Sequence, residues 1–182
     1  DAGKSNKMSD PTNIKSNFSL DGYYDQVIPF ATIESGGKSI HYSVPSKPTL
    51  GLAQCLESKE PETLEWIAGF NANDVLIDIG ANVGMYTIWA AATVGVQVVA
   101  FEPESLNYSV LNQNIVLNNL QEKVAAYCLA LSNSNGLGTL YLNEFIAGAS
   151  CHNFGEEVDH NLNSMQASFK QGCLSFTLDS LI

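Results

Sequence analysis

The chain has 182 residues, of which 45% are hydrophobic and 15% charged, a composition that suits one packed domain and excludes bulk disorder. Eight basic residues against 19 acidic ones leave a formal charge of −11, which disfavours a nucleic-acid backbone or an anionic membrane surface as partner. No apolar run reaches the roughly 18 residues of a transmembrane helix.

Residues 1–20 are polar and are expected to form a loose tail. Residues 21–70 form a lead-in. Val27–Glu34 and Lys38–Val44 flank Ser35-Gly36-Gly37 and predict a β-hairpin. Helical structure is expected from about Leu50 to Phe70, interrupted before Pro61, which suits a first helical turn. Leu64, Ile67 and Ala68 give that helix an apolar face, and Trp66 is read as core. Residues 71–182 then alternate β and α: a strand at Asp74–Ile79, a helix at about Val83–Thr93 stopped by Gly95, and a strand at Val96–Phe101. A helix at Ser105–Asn118 and a strand at Val124–Leu131 follow. This order predicts an α/β, doubly wound, mostly parallel Rossmann-like sheet with ligands at the carboxyl ends of its strands.

The segment Val75-Leu76-Ile77-Asp78-Ile79-Gly80-Ala81-Asn82-Val83-Gly84-Met85-Tyr86 carries the functional signal. A buried strand runs into a glycine turn and a helix, a nucleotide-type cradle. There the glycines admit a ligand closely and the helix start offers free amides. Glu102 ends the next strand 22 residues after Gly80, close to the spacing of an acid that grips ribose hydroxyls. The pattern is D-x-G-x-N-x-G, not G-x-G-x-x-G. Asp78 would repel a pyrophosphate but suits an ammonium and a sulfonium. S-adenosylmethionine is therefore favoured over NAD; an NAD- or nucleotide-binding enzyme and a non-catalytic module are the alternatives.

These residues, with Val99-Ala100-Phe101-Glu102-Pro103, Asn107, Lys59–Ile67 and Leu129-Ala130-Leu131-Ser132, resemble the FkbM-type methyltransferases. The resemblance runs from about Lys59 to Ser132 and more weakly to Ile182. It implies a class I methyltransferase fold and methyl transfer from S-adenosylmethionine to a hydroxyl of a sugar or small natural product. The acceptor expected is thus a small molecule or carbohydrate, with no nucleic acid and no membrane. Asp78 is expected near the methionine ammonium, with Gly80 and Gly84 permitting close approach. Asn82 is expected either to donate to the methionine carboxylate or to fix the turn. Tyr86 and Thr87 offer hydroxyls there, and Glu102 accepts the ribose hydroxyls. Pro103 shapes the adenine side, and Ser132 flanks the adenine; strand-end packing is the alternative for Tyr86, Thr87 and Ser132. Glu60 and Thr63 match the family's upstream stretch, with helix-start chemistry as the alternative.

A hydroxyl acceptor needs a base, and His152, Asp159 and His160 are the candidates in the excursion Ala147–Asn163. Cys55, Cys128, Cys151 and Cys173 form no metal-binding spacing with the histidines. Cys128 is read as buried in a strand, and all four as reduced, in a cytoplasmic chain without a visible signal peptide. After Ser132, strands are expected at Leu137–Leu142 and Leu174–Leu178. Asp179–Ile182 opens a further element, and the K-x-D-x-E-G type segment of the family is absent, so the chain is expected to be the N-terminal part of a catalytic domain.

Overall fold

A computed structural model describes residues 29–159 and 161–181. The expected tail at 1–20, the first residues of the expected hairpin strand (Val27 and Ile28), and His160 lie outside the described residues.

The hairpin pairs β1 (Phe30–Ser35) with β2 (Lys38–Ser43) across a two-glycine turn, Ser35 opposite Lys38. It is a structural wall of the core, because Ile40 and Tyr42 are fully buried. Three short helices follow: α1 (Lys47–Gln54), α2 (Leu56–Lys59) and α3 (Pro61–Ala68). The first starts earlier than the sequence suggests, because Ser46 and Thr49 form a reciprocal cap and Pro48 fits the first turn. Leu64 and Ile67 are buried as expected. Trp66 is not core: it is 59% exposed, edge-on to Phe70, because the apolar stripe of so short a helix is only two residues wide.

The centre is a parallel sheet of order β3-β4-β5, formed by Val75–Ile79, Gln97–Phe101 and Val124–Tyr127. Its connections are α4 (Met85–Trp89, continued by a π turn at Ala90–Val94) and α5 (Ser105–Leu117). This is the α/β, Rossmann-like arrangement that the alternation implied. Leu76, Val98 and Ala100 join Ile88, Leu111 and Ile115 in one core with Ile40, Tyr42, Leu56 and Ile67, so the lead-in and the sheet share a single apolar interior. Among the described residues the opposite face of the sheet is open: Val75 and Ile79 are more than half exposed, and Leu129, Leu178 and Leu181 edge that face.

The third strand ends four residues earlier than the apolar run Val124–Leu131 predicted. Leu129 N–H turns back to the Tyr127 carbonyl (3.1 Å), and the chain then enters a second sheet. That sheet has the order β6-β9-β7-β8, with β6 at Ala130–Leu131, β7 at Gly136–Leu142, β8 at Asn153–Phe154 and β9 at Phe169–Phe176. Cys128 lies at the break and is exposed, not buried in a strand. The strand expected at Leu174–Leu178 begins five residues earlier and pairs antiparallel with β7 over its length. Among the described residues no helix is long and apolar enough to cross a membrane.

The outer edge of β2 is sealed by α5. Asn114 accepts the Ser43 N–H (2.6 Å) and donates to the Val83 carbonyl (2.7 Å). Asn118, one turn on, accepts the His41 N–H (2.9 Å) and donates to the His41 carbonyl (2.6 Å). Asn118 thus supplies what a neighbouring strand would, and Asn114 ties the end of β2 to the bend before α4. Asn114→Ala orphans two buried backbone groups and is expected to cost about 2–4 kcal/mol, measured by urea unfolding; a loss below 1 kcal/mol would show that the edge is held by apolar packing instead.

Candidate functional site

The site is built where β3 ends. After Ile79 the chain passes through Gly80, Asn82 and Gly84 with φ of +75°, +52° and +83°, left-handed values that glycine and asparagine tolerate best. The amides of this bend are spent inside the protein. Those of Gly80 and Ala81 both reach the Phe101 carbonyl (2.9 and 3.0 Å), and Gly84 N–H reaches the Ala81 carbonyl (2.8 Å). Val83 N–H goes to Asn82 Oδ1 (2.8 Å) and Asn82 N–H to Glu102 Oε2 (2.7 Å). The expected free amides are therefore not there at residues 80–84; bonds to Phe101 and Glu102 and bonds within the bend consume them.

The two glycines differ in purpose. A Cβ at Gly80 would meet nothing within 4 Å, on the side of a cavity. At Gly84 it would stand 2.3 Å from Leu111 Cδ1. Gly84 thus serves helix packing, not ligand approach.

Two cavities flank the bend. The larger, about 370 Å³ and within the range of small-ligand sites, is lined by Asp78, Gly80, Asn82, Tyr86, Glu60 and Lys59 among others. Burial pushes the Asp78 carboxyl above its usual range, and hydrogen bonds from the Thr87 side chain and backbone pull it back. Thr87 Oγ1 donates to Asp78 at 2.5 Å and is fully buried, so Thr87 orients the acid and meets no ligand. The Tyr86 phenol is pushed up to about 12 by burial and then by the Glu60 carboxylate. Thr63 donates to Glu60 Oε2 (3.3 Å) and does not line the cavity.

The smaller cavity, about 160 Å³, is lined by Glu102, Pro103, Asn107 and His152 and shares Gly80, Asn82 and Ser150 with the larger. Glu102 is 4% exposed. Its Oε2 holds the Asn82 N–H and its Oε1 the Glu104 N–H (2.9 Å). Burial outweighs these bonds and pushes its carboxyl up to about 7.

A strap separates the two cavities. The Ala149 carbonyl accepts Asn82 Nδ2 (2.8 Å) and Asn107 Nδ2 (3.0 Å), Gly148 N–H reaches Asn107 Oδ1 (2.7 Å), and Ser46 Oγ donates to the Ala147 carbonyl (2.6 Å). Asn82 therefore fixes the turn and the strap. Its side-chain oxygen is committed to the turn and one of its two amide N–H donors to the strap.

Other expected residues fall elsewhere. Ser132 follows β6, its N–H on the Phe176 carbonyl (2.9 Å), and lines neither cavity, because the chain left the parallel sheet at Cys128. Asp159 closes its own turn by accepting Asn161 and Asn163 N–H (2.8 and 2.9 Å). It faces neither cavity and is not placed as a base. The sequence reading missed Glu104, which is buried and caps α5 by accepting Leu106 and Asn107 N–H (3.0 and 2.7 Å). An acid directly before Ser105 was its signal. It also missed the strap, for which no local signal exists.

No family model matches the chain. Over 80 residues, 43% of its length, it is 35% identical to methyltransferase sdnD of Sordaria araneosa, and it spans 30% of that protein. Among solved structures, P. horikoshii TYW2 in complex with MeSAdo is 17% identical, with a TM-score of 0.44 over 57% of this chain and 36% of that one. M. jannaschii TYW2 in complex with AdoMet is 24% identical, with a TM-score of 0.38 over 53% and 42%. The M. jannaschii tRNA m1G37 methyltransferase is 18% identical, with a TM-score of 0.38 over 59% and 36%.

Two measurements check the site's energetics. Gly84→Ala meets both Leu111 and a left-handed backbone and is expected to cost about 2–4 kcal/mol, whereas Gly80→Ala meets only the backbone and costs about 1 kcal/mol; equal losses by urea unfolding would contradict the packing role. Glu102 ionises at about 7 in the fold against 4.5 for an ordinary glutamate. A raised group binds its proton more tightly when folded, so its stabilisation is complete below about pH 4.5 and is lost as pH rises through about 7. The chain is expected to be more stable at pH 5 than at pH 8, and Glu102→Gln to reduce that difference by roughly 2 kcal/mol; the same pH dependence in both proteins would mean that Glu102 is not the group responsible.

Proposed function

We propose that the chain is the cofactor-binding part of an S-adenosylmethionine-dependent methyltransferase of the FkbM type, acting on a hydroxyl of a sugar or small metabolite. In this reading residues 71–182 hold the cofactor, Glu60 of the lead-in closes over its methionine end, and the protein works in the cytoplasm. The observation that carries it is the placement of two carboxylates, Asp78 and Glu102, at the carboxyl ends of adjacent parallel strands, on either side of the Gly80–Asn82 bend. A ligand with a cationic amino-acid end and a diol end suits that pair. Similarity to a named methyltransferase over 80 residues supports the same choice.

The cofactor, when bound, supplies an activated methyl group that an acceptor oxygen attacks in line. The protein's residues then bind and orient. Asp78, half-buried and braced by Thr87, attracts the ammonium, and Glu60 adds a second carboxylate on the same cavity wall. Gly80 leaves the side next to the bend open to the ligand's body. Glu102 is already fixed by two amides and keeps a lone pair on each oxygen for ribose hydroxyls. Pro103 closes the adenine side. Preorganisation of this kind supplies orientation without reorganisation at the moment of transfer. The formal charge of −11 supports a small acceptor over a polyanionic one.

Calorimetric titration of the full-length protein with S-adenosylhomocysteine is expected to show binding. Glu102→Ala is expected to weaken it by about 2–3 kcal/mol and Asp78→Asn by about 1–3 kcal/mol, the worth of hydrogen bonds to charged groups. Binding of NADH in place of S-adenosylhomocysteine would sink the proposal.

A further inference from the structure

Resting on the reading above, we infer that Lys59 binds the α-carboxylate of the cofactor's methionine end, so that the larger cavity grips both charges of an amino-acid zwitterion. The bend has few donors to give a carboxylate, because its amides at residues 80–84 are bonded to Phe101, Ala81, Asn82 and Glu102. Among the described residues the charged side chains on the wall of this cavity are the carboxylates of Asp78 and Glu60 and the ammonium of Lys59. A ligand carboxylate entering here is repelled by the two acids unless a cation stands beside it. Lys59 is that cation.

A break in the lead-in puts it there. The last turn of α2 closes with Lys59 N–H on the Cys55 carbonyl (2.8 Å), above the buried Leu56. Pro61 disfavours helical geometry in the residue before it, and Glu60 accordingly leaves the helix with φ −144° and ψ 68° before α3 begins. Leu56, Lys59 and Glu60 all line the cavity as a result. Lys59 Nζ stands 3.9 Å from Glu60 Oε1, near enough for attraction and too far for a hydrogen bond. Glu60 is in turn held by Thr63 (3.3 Å). The Lys59 side chain is half exposed, and its three donors sit on a flexible stem that reaches an incoming acceptor. The charges also match in sum. With both acids ionised, two carboxylates and one ammonium leave one net negative charge on the wall. A methionine end that bears an ammonium, a sulfonium and a carboxylate carries one net positive charge.

Calorimetry on the full-length protein tests this with two ligands, S-adenosylhomocysteine and its analogue without the α-carboxyl group. Lys59→Gln is expected to weaken binding of S-adenosylhomocysteine about 5–10-fold, between the worth of an exposed ion pair and that of a charged hydrogen bond shielded from water. Lys59→Arg keeps the charge and is expected to retain most of the affinity. Wild type is expected to bind the carboxyl-free analogue more weakly by a similar factor, and Lys59→Gln to bind that analogue as wild type does. An effect passed through Glu60 to the ammonium would instead act on both ligands, because the analogue keeps its ammonium. The half-exposed position of Lys59 leads us to expect the wild-type urea midpoint for both variants. Binding by wild type with no effect of Lys59→Gln, or an equal loss with the carboxyl-free analogue, would overturn the inference and leave the methyltransferase reading standing. Absence of any S-adenosylhomocysteine binding to wild type would overturn that reading, and this inference with it.

Discussion

Fold and site depend on one buried carboxylate. Glu102 receives an amide from each of two elements, Asn82 from the bend after β3 and Glu104 from the entry to α5. It therefore sets the spacing between the two loops that any ligand at the strand ends must touch. Removing the carboxylate would orphan both amides in a dry place. Two bonds do not fully offset its burial, which is why its carboxyl is pushed up to about 7. Capacity left open on a half-satisfied group is a cost to the empty fold and a resource for binding, a conflict between stability and function that is usual at binding sites.

The remaining scaffold relies on asparagine in an unusual degree. A side-chain amide carries one donor group and one acceptor, as a peptide does. Asn118 uses both on the edge of β2, Asn114 its acceptor there and its donor on Val83, Asn107 uses both on the strap at Gly148 and Ala149, and Asn82 uses both on Val83 and Ala149. Asn107, Asn114 and Asn118 stand seven and four residues apart, hence on one face of α5. One helix face thus joins the lead-in hairpin, the bend after β3 and the strap. This explains why Asn107 and Asn114 are buried on a helix whose apolar residues alone would have predicted its packing.

The parts of this arrangement that were legible in the sequence are those with local causes. Short apolar runs ending in an acid, a glycine bend and the β–α alternation gave the parallel sheet and placed Asp78, Gly80 and Glu102 at its carboxyl edge. Parts with non-local causes were not legible. Gly80 and Gly84 are alike in sequence, but only the position of Leu111, 27 residues on, separates their roles. Val124–Leu131 is a continuous apolar run, yet the chain changes sheets inside it because β9, some 40 residues later, offers Ala130 and Leu131 a partner. That change carries Ser132 away from the site. The strap binds Asn82 across 67 residues, and nothing in Gly148-Ala149-Ser150 announces it.

The electrostatics of the cleft decide between its candidate ligands more firmly than its shape does. Asp78 and Glu60 face one cavity and Glu102 the other, with Lys59 the one cation on either wall among the described residues. A pyrophosphate placed against the bend would meet carboxylates where a dinucleotide fold presents free amides, and the bend's amides are already committed to Phe101, Ala81, Asn82 and Glu102. In a partly dry site, like charges a few ångströms apart repel by several kcal/mol at an effective dielectric of about 20. An ammonium and a sulfonium reverse that sign, and their approach would return Asp78 and Glu102 towards ordinary ionisation. In the reading proposed above, the acids that make the empty cleft unfavourable are thus the feature that favours a cation-bearing nucleoside over a phosphate-bearing one.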